Sequence, residues 1–310
     1  MTSREGPRGF LWIAGGTVVL IVLALLALHY HREEDLATKS AFKARRIEIV
    51  GRMRAALLSA SEAEKSAVMA TTDEESQSFA DQSRAASTLV EQRRDELGKL
   101  LETGGTREER DLLSEFSQAL AECQRLDREL LDLAVKNTNL KAYSLAFGPA
   151  ADALAGMDRA LSRILSEGAG SGNPEARRVM VLAAGAQSGA WRIQALLPPH
   201  IFEESDATMD ELEARMADED QRVRADLKGL GALLGPGSSE LAAAMSDYAQ
   251  FTELKTRVLE LSRQNTNVRS LIISLNQKRK AVQVCQGALA ALEQVIQDEP
   301  VADREPQSPR

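Results

Sequence analysis

The polar residues that stand out by type and spacing are two copies of the triplet Asn-Thr-Asn, at 137–139 and 265–267. Asparagine and threonine side chains hydrogen-bond to backbone groups, so each triplet can end one helix and cap the next. Asn137 and Asn265 also continue rows of apolar residues that recur alternately every three and four positions, which we call seams. If each triplet lay within one continuous helix, an asparagine at such a position would set the register in which the helices pack. The sequence leaves both interpretations open and slightly favours a turn between two helices over one continuous helix. It favours either of these structural roles over contact with a ligand.

The sequence contains no residue set that is typical of catalysis or of metal binding. Its three histidines and two cysteines are too few for a disulfide framework or a structural zinc site. Neither a phosphate-binding loop nor a dinucleotide motif is present. Cys123 and Cys285 fall on apolar seams, where cysteine acts as a small hydrophobic residue, and the sequence does not decide whether they pair. We therefore expect no enzyme, no metal and no cofactor.

The composition predicts an all-α fold. Aromatic residues make up only 4% of the chain, and none of the nine prolines lies between Pro7 and Pro149. Few folds other than long helices accommodate such a stretch, since strands favour aromatic and β-branched residues. The net charge of −8 argues against a nucleic-acid partner, because binding phosphates requires a basic surface.

An uncharged apolar segment, FLWIAGGTVVLIVLALLAL, occupies residues 10–28. Its length matches the hydrocarbon thickness of a bilayer, and no small-x-small cleavage site follows it. We predict a transmembrane anchor over 10–30 after a cytoplasmic tail over 1–9. The protein would then cross the inner membrane once, with the bulk of the chain periplasmic or extracellular. The basic residues that follow the segment favour the opposite orientation, so the orientation stays open.

The rest of the chain contains an internal repeat. Residues 130–161 align with residues 258–289 at a constant offset of 128 without gaps. The shared 3,4 spacing of apolar residues is typical of helices that pack at a shallow angle. We predict two tandem antiparallel helical-bundle repeats, with these boundaries: first repeat 33–167, linker 168–174, second repeat 175–297 and disordered tail 298–310.

The segments LLDLAVKNTNLKAYSLAF and VLELSRQNTNVRSLIISLNQKRKAVQVCQGALAALEQV resemble the final helices of the four-helix-bundle sensor domain of bacterial methyl-accepting chemotaxis receptors. The resemblance covers about residues 10–297, and the duplication is similar to double-bundle variants of these sensors. It implies parallel homodimers that bind small solutes between bundle helices. The sequence shows neither a HAMP linker nor a signalling hairpin. We therefore expect signalling through a partner, such as a chemoreceptor or an envelope protein.

The resemblance makes five polar residues candidates for ligand binding: Arg93, Asn137, Asn139, Asn265 and Asn267. A guanidinium group matches a carboxylate, although a packed stem with a solvated head is the favoured interpretation of Arg93. The expected function is that of a membrane-anchored sensory module that binds a small molecule or a protein outside the cytoplasm. The alternative is a structural coiled-coil scaffold of an envelope complex with no ligand.

Overall fold

A computed structural model of the protein describes residues 8–168 and 173–300, and every regular element in these two ranges is a helix. The predicted all-α class is therefore confirmed for the part of the chain that is described. The helices, in chain order, are α1 Arg8–Met69, α2 Asp73–Gly104, α3 Arg107–Ala134, α4 Thr138–Phe147, α5 Pro149–Gly168, α6 Pro174–Ile201, α7 Asp206–Leu234, α8 Ser239–Gln264, α9 Thr266–Ile272 and α10 Arg279–Asp298. A π-helical segment, Ile273–Lys278, lies between the last two.

The prediction of an N-terminal transmembrane helix is corrected by the structure. A search of the described residues finds no helix with the length and apolar character that crossing a membrane requires. Residues 10–30 instead begin α1, which continues as one helix to Met69. The physical reason is that no helix-breaking residue separates the apolar run from the charged residues that follow it, so both belong to one long mixed helix. Most side chains of that run lie outside the described residues.

The chain divides into two units, and each is built from separated segments. Unit 1 comprises Met1–Ser59, Ala85–Ala121 and Ala281–Arg310, and unit 2 comprises Ala60–Arg84 and Glu122–Lys280. The boundaries of these units differ from those of the predicted repeats, 33–167 and 175–297, which stay a prediction.

The two copies of the repeat interleave within unit 2. Helix α5, from the first copy, packs against α8, from the second, and also against α6, which packs against α7. The period of apolar residues identifies the buried face of each helix but not the helix that covers it. Both copies have the same spacing of apolar residues. A helix can therefore bury its apolar face equally well against a helix of the other copy or against a helix of its own copy.

Three helix ends carry residues that favour such positions. Helix α2 ends at Gly104. Asn173, at the end of the predicted linker, caps α6 by accepting a hydrogen bond from the backbone N–H of Ala176 at 2.7 Å. Ser238 caps α8 by accepting from the N–H of Leu241 at 3.2 Å. Each cap satisfies one backbone donor that the first turn of a helix leaves without a partner.

The seam positions form the interior of each unit. In unit 1, Met53, Val90, Leu97 and Phe116 are fully buried. Leu154, Met157, Ala190, Ile193 and Phe251 are buried in the core of unit 2. Each large apolar side chain that is removed from water in this way stabilises the fold by about 1.5–3 kcal/mol.

Candidate functional site

The two Asn-Thr-Asn triplets meet in unit 2 and cap each other's helices. The backbone N–H of Thr138 donates to Oγ1 of Thr266, and the N–H of Thr266 donates to Oγ1 of Thr138, each at 3.2 Å. The N–H groups of Asn139 and Asn267 donate to each other's Oδ1 at 3.1 Å. Four donors at the first turns of α4 and α9 are thereby satisfied by the other copy of the repeat. We call residues 137–139 and 265–267 the Asn-Thr node.

Asn137 and Asn265 make the turns that precede α4 and α9. They adopt left-handed backbone conformations, with φ of 50° and 53°, and no other non-glycine residue in the described ranges has a positive φ. Asparagine tolerates this region better than most residues with a side chain. The predicted turn at each triplet is therefore confirmed. The alternative of one continuous helix through each triplet is wrong, although Asn137 and Asn265 are buried.

The amide groups of the Asn-Thr node are hydrogen-bonded. Asn137 donates to Oδ1 of Asp73 at 3.0 Å, and Asn265 donates to the carbonyl oxygen of Glu203 at 2.7 Å. The amide of Asn139 donates to Oδ1 of Asn265 at 2.8 Å. These bonds connect the node to the first residue of α2 and to the loop between α6 and α7. The amides thus have a structural role, and their contact with a ligand stays a prediction.

Arg93 and the two cysteines have ordinary surroundings. The guanidinium of Arg93 pairs with Glu96, one turn later in α2, at 2.7 Å, and the arginine side chain is one-third exposed. This placement agrees with a packed stem and a solvated head. Cys123 and Cys285 are both buried, and neither forms a disulfide.

A cavity of about 490 Å³ in unit 1 has a largely cationic lining. Its walls are formed by Thr38, Lys39, Phe42, Lys43 and Arg46 of α1, by Thr103 and Gly104 of α2, and by Glu299 and Pro300, which follow α10. The α1 residues recur at helical spacing and therefore share one face. The ring of Phe42 packs so close to Gly104 that a Cβ there would lie 3.0 Å from it. The volume is in the range of small-molecule sites.

Arg46 is the buried charge of this cavity. Its side chain is 2% exposed and forms ion pairs with Glu109, which is wholly buried, and with Glu299. The guanidinium also lies 4.6 Å from the centre of the Phe42 ring. Its Nε is buried and has no hydrogen-bond partner. A charged side chain that lines a cavity with an unused donor is suited to binding an anion.

Glu109 is held in place by the first turn of its own helix. Its Oε2 accepts from the N–H of Thr106 at 2.7 Å, and its own N–H donates to Oγ1 of Thr106 at 3.2 Å. This is a capping box, and the sequence TREE at 106–109 carries its signal. Arg46 was not predicted as a site residue, although the spacing of Lys39, Lys43 and Arg46 places them on one helix face.

Lys43 fixes the end of α10. Its Nζ donates to the carbonyl oxygens of Gln297 at 2.6 Å and Glu299 at 2.7 Å. A cation in this position satisfies carbonyl groups that the last turn of a helix leaves without partners, and it opposes the negative end of the helix dipole.

A second cluster of buried polar residues in unit 2 is centred on His200. The Nδ1 of His200 lies 2.8 Å from Oγ of Ser262, and the Nε2 of His200 lies 2.8 Å from Oε1 of Glu213. Glu213 is also paired with Arg263. Serine, histidine and glutamate are the residue types of a nucleophilic triad, but Ser262 is fully buried, and its hydroxyl donates to the His200 carbonyl oxygen at 2.9 Å. Burial lowers the pKa of His200.

A third buried group lies beside the π-helical segment. Lys278 pairs with Asp127 at 2.6 Å and donates to the carbonyl oxygen of Cys123 at 3.1 Å. Glu64 is 1% exposed, and neither of its carboxyl oxygens has a hydrogen-bond partner. Burial, and then the negative charge of Asp127, raises the pKa of Glu64. No group of three or more potential metal ligands occurs among the residues that are described.

No protein-family model and no curated protein matches this chain. The resemblance to chemoreceptor sensor domains therefore stays a prediction from the sequence. Of these four polar clusters, the one around Arg46 combines a charged side chain with space for a molecule, so it is the candidate functional site.

Proposed function

We propose that the protein is a sensory helical bundle that binds a small molecule in the cavity of unit 1 and passes the resulting change in helix packing to a partner. The observation that carries the proposal is the combination of Arg46, buried with an unused donor, and a cavity of about 490 Å³ that it lines. A dry structural seam would contain neither feature.

The placement of the cavity suits a sensor. Its walls come from α1, from the last residues of α2 and from the residues that follow α10, so one molecule contacts three elements of unit 1. A ligand that binds one arrangement of these elements better than another shifts the population toward that arrangement. Shifts of about 1–2 Å between packed helices are a known form of switching.

A screen of the full chain by thermal unfolding tests the proposal. The compounds include small anions, cations and neutral molecules, and a ligand at 100 times its Kd stabilises the folded state by about 2.7 kcal/mol. Thr38 is exposed and lines the cavity, so Thr38→Tyr fills the cavity and abolishes the stabilisation by a compound found in the screen. Thr256→Tyr, at an exposed position on α8, is the matched control and leaves the stabilisation unchanged.

The alternative function is a scaffold with no small-molecule ligand. It becomes the better account if no compound of any charge class stabilises the protein. The scaffold is also supported if Thr38→Tyr and Thr256→Tyr change the stabilisation by the compound to the same extent, because the compound would then bind outside the cavity.

A further inference from the structure

We propose that Glu299 is an internal stand-in for the ligand of this cavity. The cavity then takes a small molecule with a carboxylate group, which binds by displacing the Glu299 side chain from Arg46. This inference rests on the function proposed above, and it names both the class of the ligand and the group with which it competes.

The two carboxylates on Arg46 differ in how firmly they are held. Glu109 is wholly buried and is fixed by the capping box with Thr106. The Glu299 side chain is one-third exposed and lies just beyond the last residue of α10, Asp298. When Glu299 is displaced, the only buried charge that loses a partner is the guanidinium of Arg46, and the carboxylate of the ligand takes the place of that partner. Displacing Glu109 would leave a buried carboxylate without its cation, which is costly.

The charges around Arg46 favour an anion at the place that the Glu299 carboxylate occupies. Glu299 is the single acid among the residues that line the cavity, whereas Lys39, Lys43 and Arg46 are cationic. When the Glu299 carboxylate moves away, Arg46 keeps one acidic partner, Glu109, and loses the other. Lys39 is already paired with Asp35 at 2.9 Å, and Lys43 binds the carbonyl oxygens at the end of α10. A carboxylate on the ligand restores the balance that Glu299 provides in the structure.

The helix ends favour a carboxylate over a phosphate. Thr103 and Gly104 are the last residues of α2, and Glu299 follows the end of α10. The C-terminal end of a helix carries a partial negative charge, which opposes a dianion more strongly than a monoanion. Phosphate sites use the opposite end of the helix, where backbone N–H groups are available. The planar guanidinium of Arg46 matches a carboxylate, and the Phe42 ring provides an apolar wall for the rest of the molecule.

Displacement of Glu299 changes the way α10 is attached to α1. In the structure, Arg46 holds the side chain of Glu299, and Lys43 holds its carbonyl oxygen at 2.7 Å. A ligand carboxylate replaces the first of these two attachments. The binding event is thus linked directly to the end of a helix, as a sensor requires.

Titration calorimetry of the full chain at low ionic strength tests the inference. The probes are acetate, benzoate, succinate and inorganic phosphate, and the variant is Glu299→Gln, which removes the competing charge. If Glu299 occupies Arg46 in nine of ten molecules, the variant binds carboxylates about tenfold more tightly than the wild type. The matched control is Glu293→Gln, because Glu293, on α10, pairs with Arg54 at 2.6 Å outside the cavity lining. It leaves the affinity unchanged.

Each other outcome has one meaning. Equal affinities in the wild type and Glu299→Gln overturn the internal competitor and leave the proposed function standing. Tighter binding of phosphate than of carboxylates by the variant overturns the ligand class. A failure of all four probes, while the earlier screen finds a cationic or neutral ligand, overturns the inference alone, and a failure in both experiments overturns both proposals. Glu299→Ser repeats the test if the first variant does not fold.

Discussion

Thr138 and Thr266 cap each other's helices across 128 residues of sequence, each through its backbone N–H and its side-chain hydroxyl. The two hydroxyl oxygens also lie 3.1 Å apart, and both residues are buried. The triplet therefore has two roles: its first asparagine ends a helix, and its next two residues satisfy the helix that begins in the other copy.

Removal of one hydroxyl from this pair is expected to destabilise the protein. Thr138→Val keeps the shape of the side chain but leaves the N–H of Thr266 buried without an acceptor, at a cost of about 1–3 kcal/mol. Urea unfolding measures the loss. Thr256→Val, on the exposed face of α8, is the control, and an equal loss in both variants would contradict reciprocal capping.

The left-handed backbone conformation of Asn265 is expected to make the alanine and glycine variants at this position differ in stability. Both Asn265→Ala and Asn265→Gly remove the amide bonds to Glu203 and Asn139, but only glycine adopts φ of 53° without a steric cost. The alanine variant is therefore expected to be less stable than the glycine variant by about 1 kcal/mol. Denaturant midpoints measure the difference, and equal midpoints would show that the turn relaxes in the variants.

Glu64→Gln is expected to stabilise the protein, and by more at higher pH. Burial raises the pKa of Glu64 above its usual value of 4.5, so the folded state holds this proton more tightly than the unfolded state. The stability that the protonated form provides is complete below pH 4.5 and is lost as pH rises through the folded-state pKa. Glutamine does not ionise, so the gap between variant and wild type opens above pH 4.5. Unfolding at pH 4, 6 and 8 measures this, with the exposed Glu62→Gln as a control that shows no such trend.

His200 is expected to make the protein less stable in mild acid. Burial lowers the pKa of His200 below its usual 6.5; Arg263 adds to this effect, whereas Glu213 and Glu203 oppose it. Because the unfolded state binds this proton first, the stabilisation is present above pH 6.5 and is lost as pH falls from 6.5 through the folded-state pKa. NMR titration of the wild type, assigned with His200→Gln, measures that pKa. A value above 6.5 would reverse the predicted slope.

Removal of one charge from the buried ion pair of Arg46 and Glu109 is expected to destabilise the fold more than removal of both charges. Arg46→Met leaves Glu109 buried without its cation, with an expected loss of about 3–5 kcal/mol. The double variant Arg46→Met with Glu109→Gln removes the stranded charge and keeps an acceptor for the N–H of Thr106. Thermal unfolding should therefore show that the double variant is more stable than the single variant. A double variant that is equally unstable would mean that the loss comes from packing.

Local features of this chain were readable from the sequence because local chemistry causes them. Low aromatic content and the long interval without proline predicted the helices. Gly104 at the end of α2 and Ser238 at the start of α8 follow the ordinary preferences of helix ends. The same holds for the turns at Asn137 and Asn265, because left-handed backbone and helix capping are properties of the residue and its neighbours. The apolar run at 10–28 gave a wrong prediction of a transmembrane anchor, because the helix that contains it continues to Met69.

The tertiary structure alone decided which parts meet. The spacing of apolar residues identifies the buried face of a helix but not the helix that covers it, so the sequence did not predict that the two copies interleave. Glu299 reaches Arg46 across 253 residues, and Thr138 reaches Thr266 across 128. A repeat makes such pairings ambiguous, because equivalent apolar faces can pack in several orders with similar burial. The choice among them depends on the polar contacts that each order satisfies, and those contacts exist only after the chain has folded.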